Sequence, residues 1–293
     1  MRFRKSPLEI LFDVTNTLVL LGITLATLYP LLYVLFGSLS DPVAMARSGA
    51  LLLYPKDISF DAYRMVFTNE MIAYGYRNTF ILVTLGTSIN FLLTVTAAYA
   101  LSRKTLPGQR ILMLGMVFTM QFSGGLIPTY LLVTQGLGLM NSYWAVLLPT
   151  AINTMNLIIM RTFFAGVPPE LEESARLDGA NDFAILFRIF IPVSKPVIAT
   201  VVLFYAVAHW NDFFHALIYL RERTLYPLQL VLREILIQHS TDSMTTMMSQ
   251  DQEQISENMK YATIIVATVP ILFLYPFLQK YFVKGVMIGS LKQ

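Results

Sequence analysis

The chain has 293 residues, of which 55% are hydrophobic and only 13% are charged. Soluble domains carry roughly 25% charged residues, so this composition indicates an integral membrane protein. The absence of cysteine excludes a disulfide framework and any cysteine-based metal site. The net charge of +3 is small and the basic residues are spread along the chain, so we expect no nucleic-acid partner.

Six apolar stretches are long enough to cross a bilayer, because a helix needs about 20 residues to span roughly 30 Å of hydrocarbon. They predict an all-α integral membrane protein with a single domain over residues 1–293 and six transmembrane helices. The spans are predicted at residues 14–37, 78–101, 110–133, 143–164, 195–219 and 261–283. The longer connections between them are outer loops at 38–77 and 220–260 and a cytoplasmic loop at 165–192.

The first apolar stretch follows a basic segment at residues 2–5, as in a secretory signal peptide. The small residues at 44–46 even provide an apparent cleavage site. However, the apolar run at 18–39 is longer than the roughly 7–15 residues of a signal-peptide core. We therefore predict a retained first helix, followed by an outer loop that contains short interfacial helices.

The basic residues predict the orientation of the spans, because short cytoplasmic segments carry an excess of Lys and Arg. Basic residues precede the first span, fill the loop after the second and recur in the 165–192 loop and after the last span. They are Arg2, Arg4, Lys5, Arg103, Lys104, Arg110, Arg176, Arg188, Lys195, Lys280, Lys284 and Lys292. Residues 134–142 contain none. We expect both termini in the cytoplasm.

The third predicted span is interrupted by Ser123-Gly124-Gly125 and by Pro128. Such interruptions mark a hinge or an unwound binding segment in some transporters. Equally, the glycines could permit close packing between helices. The sequence leaves both alternatives open.

The 168–192 segment is polar and has the pattern of two short helices. Pro169 suits a first helical turn, and the glutamates that follow it favour the positive end of the helix dipole. Gly179 fits the left-handed residue that ends a helix, and Asn181 or Asp182 can cap a second one. In that second helix Phe183, Leu186, Phe187 and Phe190 are spaced to share one face, and Pro192 is expected to end it.

This segment resembles the EAA loop of membrane subunits of ABC importers. The matching residues are Glu173-Ser174-Ala175, Gly179-Ala180 and Ile189-Phe190-Ile191-Pro192, with Ser174 and Ile191 differing from the usual alanine and leucine. Two further stretches resemble the carbohydrate branch of that family, whose members include maltose-type permeases. They are Ile127-Pro128-Thr129-Tyr130 with 136–144, and the tail from Lys284-Gly285 to Gly289-Ser290-Leu291-Lys292.

The resemblance implies a type I ABC importer fold with cytoplasmic coupling helices, located in a bacterial inner membrane. It implies as partners a second, different permease subunit, two ATP-binding cassette subunits, an extracytoplasmic solute-binding protein and the lipid bilayer. It also implies that ATP and Mg²⁺ bind to the ATPase subunits, with no cofactor in this chain. The expected ATPase-coupling residues are Glu172, Glu173, Ala175, Asp178, Gly179, Ala180, Ile189 and Pro192, with Glu173 as the partner of a basic group. Gly289, Ser290 and Lys292 are the expected contacts of the C-terminal tail.

Polar residues inside the predicted spans are costly in lipid and need a reason. Hydroxyl-rich sugars require such donors and acceptors, and aromatic rings can stack on sugar rings, so these residues are candidates for a sugar path. Interhelical hydrogen bonding alone would also explain them. The candidates are Gln121, Asn153, Asn156, His209, Trp210, Asn211 and Asp212, with Asn211 and His215 spaced as neighbours on one helical face.

The second outer loop begins with a predicted interfacial helix from about Leu225 to Ile237. Residues 240–258 lack apolar periodicity and are predicted to form an exposed loop. The resemblance implies that this loop reaches the binding protein, whereas a disordered connector remains the alternative.

Three classes of function fit a polytopic membrane protein. The sequence contains no GxxxxGK[ST] loop, no HExxH and no GxSxG, so we expect neither its own ATPase site nor an intramembrane enzyme. An ion-coupled secondary transporter would commonly show inverted repeats and paired intramembrane acids, and we find neither. The favoured function is an ATP-driven importer of di- or oligosaccharides, including acidic ones of the uronate or alginate kind.

Overall fold

The structure is a computed structural model that describes residues 6–47, 51–103, 105–245 and 257–273. These residues form helices joined by turns and loops, with one isolated antiparallel bridge between Ser40 and Ile58. The all-α fold class is thus confirmed for the described residues. The chain divides into two compact units, residues 1–69 with 234–269 and residues 70–233 with 270–293.

The α-helices are numbered in chain order. They are α1 Pro7–Leu39, α2 Pro42–Arg47, α3 Asp61–Thr68, α4 Glu70–Ser102, α5 Gln109–Gln121, α6 Leu126–Leu131, α7 Tyr143–Leu147, α8 Thr154–Ala165, α9 Pro169–Leu177, α10 Asp182–Ile185, α11 Ile191–Val193, α12 Lys195–Asn211, α13 Phe214–Tyr219, α14 Leu228–Thr245 and α15 257–273. Leu132–Gly136 and Leu186–Phe190 are π-helical, and Leu148–Thr150 and Arg223–Leu225 are 3₁₀-helical.

The first unit is built around α1. This helix begins with a capping box, in which Glu9 N–H donates to Ser6 Oγ at 3.2 Å and Ser6 N–H donates to the Glu9 carboxylate at 2.8 Å. Most of its apolar side chains are exposed, as expected for a lipid-facing helix. Near its end, Gly37 lies so close to the Tyr261 ring of α15 that a Cβ would come within 2.8 Å of that ring.

Residues 240–258 differ from the predicted exposed loop wherever they are described. Helix α14 continues to Thr245, and α15 already includes residues 257–258. Asn258 is buried, and its amide donates to the Ser40 carbonyl at 2.6 Å. The loop prediction is therefore wrong at both ends, and residues 246–256 lie outside the described residues. The polar composition of this segment does not indicate that Asn258 is buried and hydrogen-bonded to Ser40.

The second unit is centred on α4, which packs against α8 and α12. Helix α4 begins at Glu70, eight residues before the predicted span, so 70–77 belong to a helix rather than to the outer loop. The three helices bury a shared apolar core that extends to the segment after α10. Its buried members are Val95, Ala98, Tyr99, Leu101, Leu157, Met160, Phe164, Ile185, Leu186, Phe190, Val197, Val201 and Tyr205.

Two of the predicted spans, the third and the fourth, are bent helix pairs, and a further bent pair joins the end of the 165–192 loop to the fifth span. Among the described residues, α1 and α4 are each long and apolar enough to cross a membrane, and the count rises to five if each bent pair is one span. The pairs 109–121 with 126–136, 143–150 with 154–165, and 182–193 with 195–211 are bent by 110°, 50° and 90°. The sixth predicted span is described only up to residue 273.

The break at residues 122–125 favours the unwound alternative over close packing. Gly125 has φ +87°, a conformation that favours glycine. Among the described residues, a Cβ at Gly124 would meet no atom within 4 Å, and one at Gly125 would meet the Pro128 ring at 3.8 Å. These glycines therefore do not permit a close approach between helices in the part of the chain that the structure describes.

Candidate functional site: a polar cleft and a charged loop

The bend between Thr150 and Asn153 leaves backbone groups without helical partners, and side chains of α4 and α12 satisfy them. The Asn90 amide donates to the carbonyls of Thr150 and Ala151 at 2.7 and 2.8 Å. The Asn153 N–H donates to the Tyr205 hydroxyl at 3.0 Å. Since a buried unpaired backbone group is costly, these bonds hold the bend in a fixed geometry.

His209 is held behind this bend. Its Nε2 lies 2.6 Å from Asn90 Oδ1, and because the Asn90 amide nitrogen is already donating to two carbonyls, His209 donates from Nε2. The imidazole is 6% exposed and packs against Gly86, where a Cβ would collide with the ring. Gly86 is therefore required for the close approach of α4 and α12 at this point.

A polar cleft of about 400 Å³ opens beside the bend. Ligand pockets commonly measure roughly 300–1,000 Å³, so the cleft can hold part of a small ligand. Amides, hydroxyls and imidazoles line it together with one carboxylate and one phenyl ring. The lining residues are Thr150, Asn153, Asn156, Phe204, Tyr205, Ala208, His209, Asn211, Asp212 and His215.

Asp212 and His215 form a pair at one side of the cleft. The helix breaks at Asp212, so Asn211 and His215 are not neighbours on one helix as predicted. Instead, Asp212 accepts the His215 N–H at 3.2 Å and lies 2.9 Å from its Nδ1. Asn211 is exposed, and its amide donates to the Val207 carbonyl of its own helix. The break thus gathers these polar groups by a different geometry from the predicted one.

Five of the seven predicted path residues line this cleft: Asn153, Asn156, His209, Asn211 and Asp212. The other two lie elsewhere. Trp210 is buried against Phe80, with ring centroids 5.9 Å apart. Gln121 is exposed at the end of α5. These two residues do not share a site with the rest.

Two asparagines of α4 were not among the predicted site residues. Asn90 supports the cleft, and Asn78 donates to the carbonyls of Thr224 and Tyr226 and accepts the Tyr143 hydroxyl. Both asparagines are only 1% exposed. The criterion applied to the later spans, a polar side chain inside an apolar stretch, would have found them in the second span.

The other predicted site is the 168–192 segment, which contains α9 and α10 and which we call the charged loop. Gly179 has φ +80°, and two bonds close the end of α9: Gly179 N–H to Arg176 O at 3.0 Å and Ala180 N–H to Ala175 O at 2.9 Å. These are the two bonds of a Schellman motif, so the predicted left-handed glycine is confirmed. Asn181, rather than Asp182, caps α10 by accepting the Ala184 N–H at 2.8 Å.

The segment after α10 departs from the predicted amphipathic helix. Residues 186–190 are π-helical, which shifts the register of the face. Leu186 and Phe190 are buried, whereas Phe183 and Phe187 are 70% and 46% exposed. Pro192 lies within α11 rather than ending the helix, and the chain turns by 90° at Ser194.

The predicted coupling residues fall into two groups. Ala175, Ala180 and Ile189 pack against the shared core and fix the loop to it. Glu173, Asp178 and Gly179 are exposed, as is Pro192. Glu172 belongs to neither group, because its carboxylate is 13% exposed and is paired with Arg103 and Arg176. The predicted tail contacts Gly289, Ser290 and Lys292 lie outside the described residues.

The chain is similar to known transport proteins along nearly its whole length. Residues 10–288 match the family described as "Binding-protein-dependent transport system inner membrane component". It is 43% identical over 281 residues to Protein LplC of Bacillus subtilis, covering 96% of this chain and 95% of that protein. It is 42% identical over 283 residues to the polygalacturonan/rhamnogalacturonan transport system permease protein YtcP of the same organism, covering 96% and 98%.

A solved structure shows the same fold. It is a chain of a bacterial ABC transporter involved in the import of the acidic polysaccharide alginate, with a TM-score of 0.86 and 32% sequence identity, covering 96% of this chain and 99% of that one. The family match, the relatives and this structure agree with the resemblance read from the 168–192 segment. This chain therefore belongs to the family of inner membrane components of binding-protein-dependent transport systems.

Proposed function

We propose that this chain is the non-catalytic permease subunit of an ATP-driven importer of di- and oligosaccharides. It forms half of the translocation path beside a second, different permease subunit. Two cytoplasmic ATPase subunits bind ATP and Mg²⁺, and an extracytoplasmic binding protein delivers the sugar. The observation that carries this proposal is the match of 96% of the chain to a subunit of an alginate importer.

The chain crosses the inner membrane six times, with both termini in the cytoplasm. The bent pairs 109–136 and 143–165 count as one span each, α12 begins the fifth span after the cytoplasmic loop, and 257–273 begins the sixth. The absence of cysteine makes this testable with single cysteines and an impermeant thiol reagent applied to intact cells. We expect Leu137→Cys, which is exposed in the 134–142 segment, to react from outside, and Lys292→Cys to stay unlabelled until the cells are opened. Labelling of Lys292→Cys from outside would contradict the six-span topology.

The loop at 168–192 docks on the ATPases. Its first helix exposes Leu177, which is 90% exposed, one helical turn after the exposed carboxylate Glu173. An exposed apolar side chain beside a charge is suited to a protein surface that provides a groove and a basic group. Gly289, Ser290 and Lys292 supply a second contact with the same ATPases.

The cleft contacts the sugar on its way through. Amide and hydroxyl groups match sugar hydroxyls, and Tyr205 and Phe204 supply aromatic surface at its edge. We assign the substrate to oligosaccharides that include uronic acids, because relatives named for polygalacturonan and alginate handle acidic polymers. Among the lining residues only His209 and His215 can carry positive charge. Asp212 is a carboxylate and would repel a carboxylate of the substrate. We therefore expect the acidic group of the sugar to bind away from Asp212 and its hydroxyl groups to occupy the cleft.

The test is transport by the reconstituted complex. The four membrane-bound subunits and the binding protein are placed in proteoliposomes, with alginate, galacturonate and neutral oligosaccharides as probes. We expect sugar uptake that requires enclosed ATP and the binding protein. Uptake that follows an imposed ion gradient and ignores ATP would instead establish a secondary transporter.

A further inference from the structure

Five side chains form a closed ring between the end of α4 and the two helices of the charged loop. Arg103 pairs with Glu172, and Glu172 also accepts from Arg176 at 3.0 Å. Arg176 donates to Asp182 at 2.5 Å, and Asp182 accepts the Tyr99 hydroxyl at 3.3 Å. The Arg103 guanidinium lies 4.3 Å from the Tyr99 ring centre, so the five contacts form a closed ring. We call these residues, Tyr99, Arg103, Glu172, Arg176 and Asp182, the charged ring.

Arg103 is the member that anchors the ring to the bundle. Its guanidinium lies against two aromatic faces, Tyr99 and Phe190, at 4.3 and 4.4 Å. Those two rings contact each other edge to face at 5.2 Å and belong to the shared core. Because the Arg103 and Glu172 side chains are only 21% and 13% exposed, their attraction is weakly screened by water. A planar guanidinium suits this position, since it stacks and pairs at the same time.

Helix α9 has little else to hold it. None of its described side chains is buried, and its large apolar residues Leu171 and Leu177 are exposed. Ala175 is the α9 residue packed against the core, and its methyl group gives little contact area. The position of α9 therefore depends on the pairing of Glu172 with Arg103.

We propose that Arg103 is a positioning residue for energy coupling, which fixes α9 to the cytoplasmic end of α4. This inference rests on the proposed function, because it takes α9 as the element moved by the ATPases. Rigid-body motion of α9 reaches α4 through the charged ring, and α4 carries Asn90 and thereby the bend beside the cleft. Glu173 meets the partner, while Glu172, its neighbour in the sequence, transmits the motion inward.

The experiment compares Arg103→Gln, Arg103→Lys and the control Arg110→Gln in the purified complex. Arg110 is an exposed arginine a few residues further along. The readouts are sugar transported per ATP hydrolysed and amide hydrogen exchange over residues 170–182. We expect Arg103→Gln to lower the transport ratio about fivefold or more, the scale of typical coupling between sites. Exchange should rise at the same time, with partial rescue by Arg103→Lys and no change in Arg110→Gln.

Each other outcome overturns the inference. An unchanged transport ratio in Arg103→Gln would show that the charged ring does not transmit motion. A lower ratio with unchanged exchange would show that Arg103 contacts the ATPase directly instead of positioning α9. A lower yield of complex with an unchanged ratio would assign the ring to folding alone. Failure of the proposed function is a separate result, because it appears as ATP-independent uptake by the wild-type complex. In that case the comparison of hydrogen exchange between the variants still tests whether the charged ring positions α9.

Discussion

The cleft and the charged loop both lie at interruptions of helices, but the two interruptions are stabilised in different ways. At the cleft, buried side chains of other helices satisfy the freed backbone groups of 150–153. At the charged loop, the backbone closes its own end after α9, and Gly179 faces open space. In an apolar setting a free carbonyl needs a protein partner, whereas water can serve an exposed turn. Substitutions at the first break should therefore cost stability, and those at the second should cost docking.

The largest expected effect is that of Asn90→Leu. The change removes the donor to two carbonyls and the acceptor for His209, and each buried group left unpaired costs about 1–3 kcal/mol. We expect the free energy of unfolding of the purified permease to fall by about 3 kcal/mol or more, measured by chemical or thermal unfolding. A variant with wild-type stability would show that the bend does not need its side-chain partners.

The next largest effect is that of Glu173→Lys on ATPase attachment. Reversing an exposed charge at a protein interface removes an attraction and adds a repulsion, and we expect about 2 kcal/mol, or a thirtyfold weaker association. The measurement is the amount of ATPase retained during purification at low and high salt. Glu170→Lys, the same charge reversal at an exposed position three residues before Glu173 in α9, is the matched control. Equal retention in the two variants would remove Glu173 from the interface.

A smaller effect is expected for Gly179→Ala. A side chain at φ +80° costs about 1 kcal/mol, although no atom blocks the space around it. We expect weaker ATPase binding with a nearly unchanged melting temperature of the membrane domain. Gly115→Ala is the contrasting control, because Gly115 lies inside α5 with no atom within 4 Å, so alanine should stabilise that helix slightly.

The smallest effect on stability is expected for Asn211→Ala. Its amide bonds only to its own helix at an exposed position, so the loss should stay below about 0.5 kcal/mol. If Asn211 contacts the sugar, transport should fall while basal ATP hydrolysis stays normal. Both quantities are measured on one preparation. Normal transport with reduced stability would exclude Asn211 from the sugar path. It would also contradict the expectation that Asn90, and not Asn211, contributes to stability.

The features that the sequence predicted well are local ones. The left-handed turn at Gly179 and the cap at Asn181 depend on a few neighbouring residues, so the pattern of the segment was sufficient. The break at Gly124-Gly125 could be located for the same reason. The π-helical segment at 186–190 could not, because its extra residue per turn has no clear signature in hydrophobic periodicity.

Distant partners were the harder part. Glu172 and Glu173 look alike in the sequence, and only the position of Arg103 in the folded chain separates the inward carboxylate from the exposed one. Similarly, the break after Asn211 could not be read from an apolar stretch, yet it brings His215 to Asp212. Contacts of this kind are set by tertiary packing rather than by spacing.

The charged ring also limits how the loop can be exchanged between related transporters. The turn at Gly179 is self-contained, so residues 168–192 look like a portable segment for redirecting a permease to another ATPase. Yet Glu172 pairs with Arg103 and Asp182 accepts from Tyr99, and both of these partners lie at the end of α4, outside the loop. A chimera that receives the loop without matching residues at 99 and 103 would leave Glu172, whose side chain is 13% exposed, without its Arg103 partner. The unit that can be transplanted is therefore discontinuous, and successful loop swaps should require both pieces.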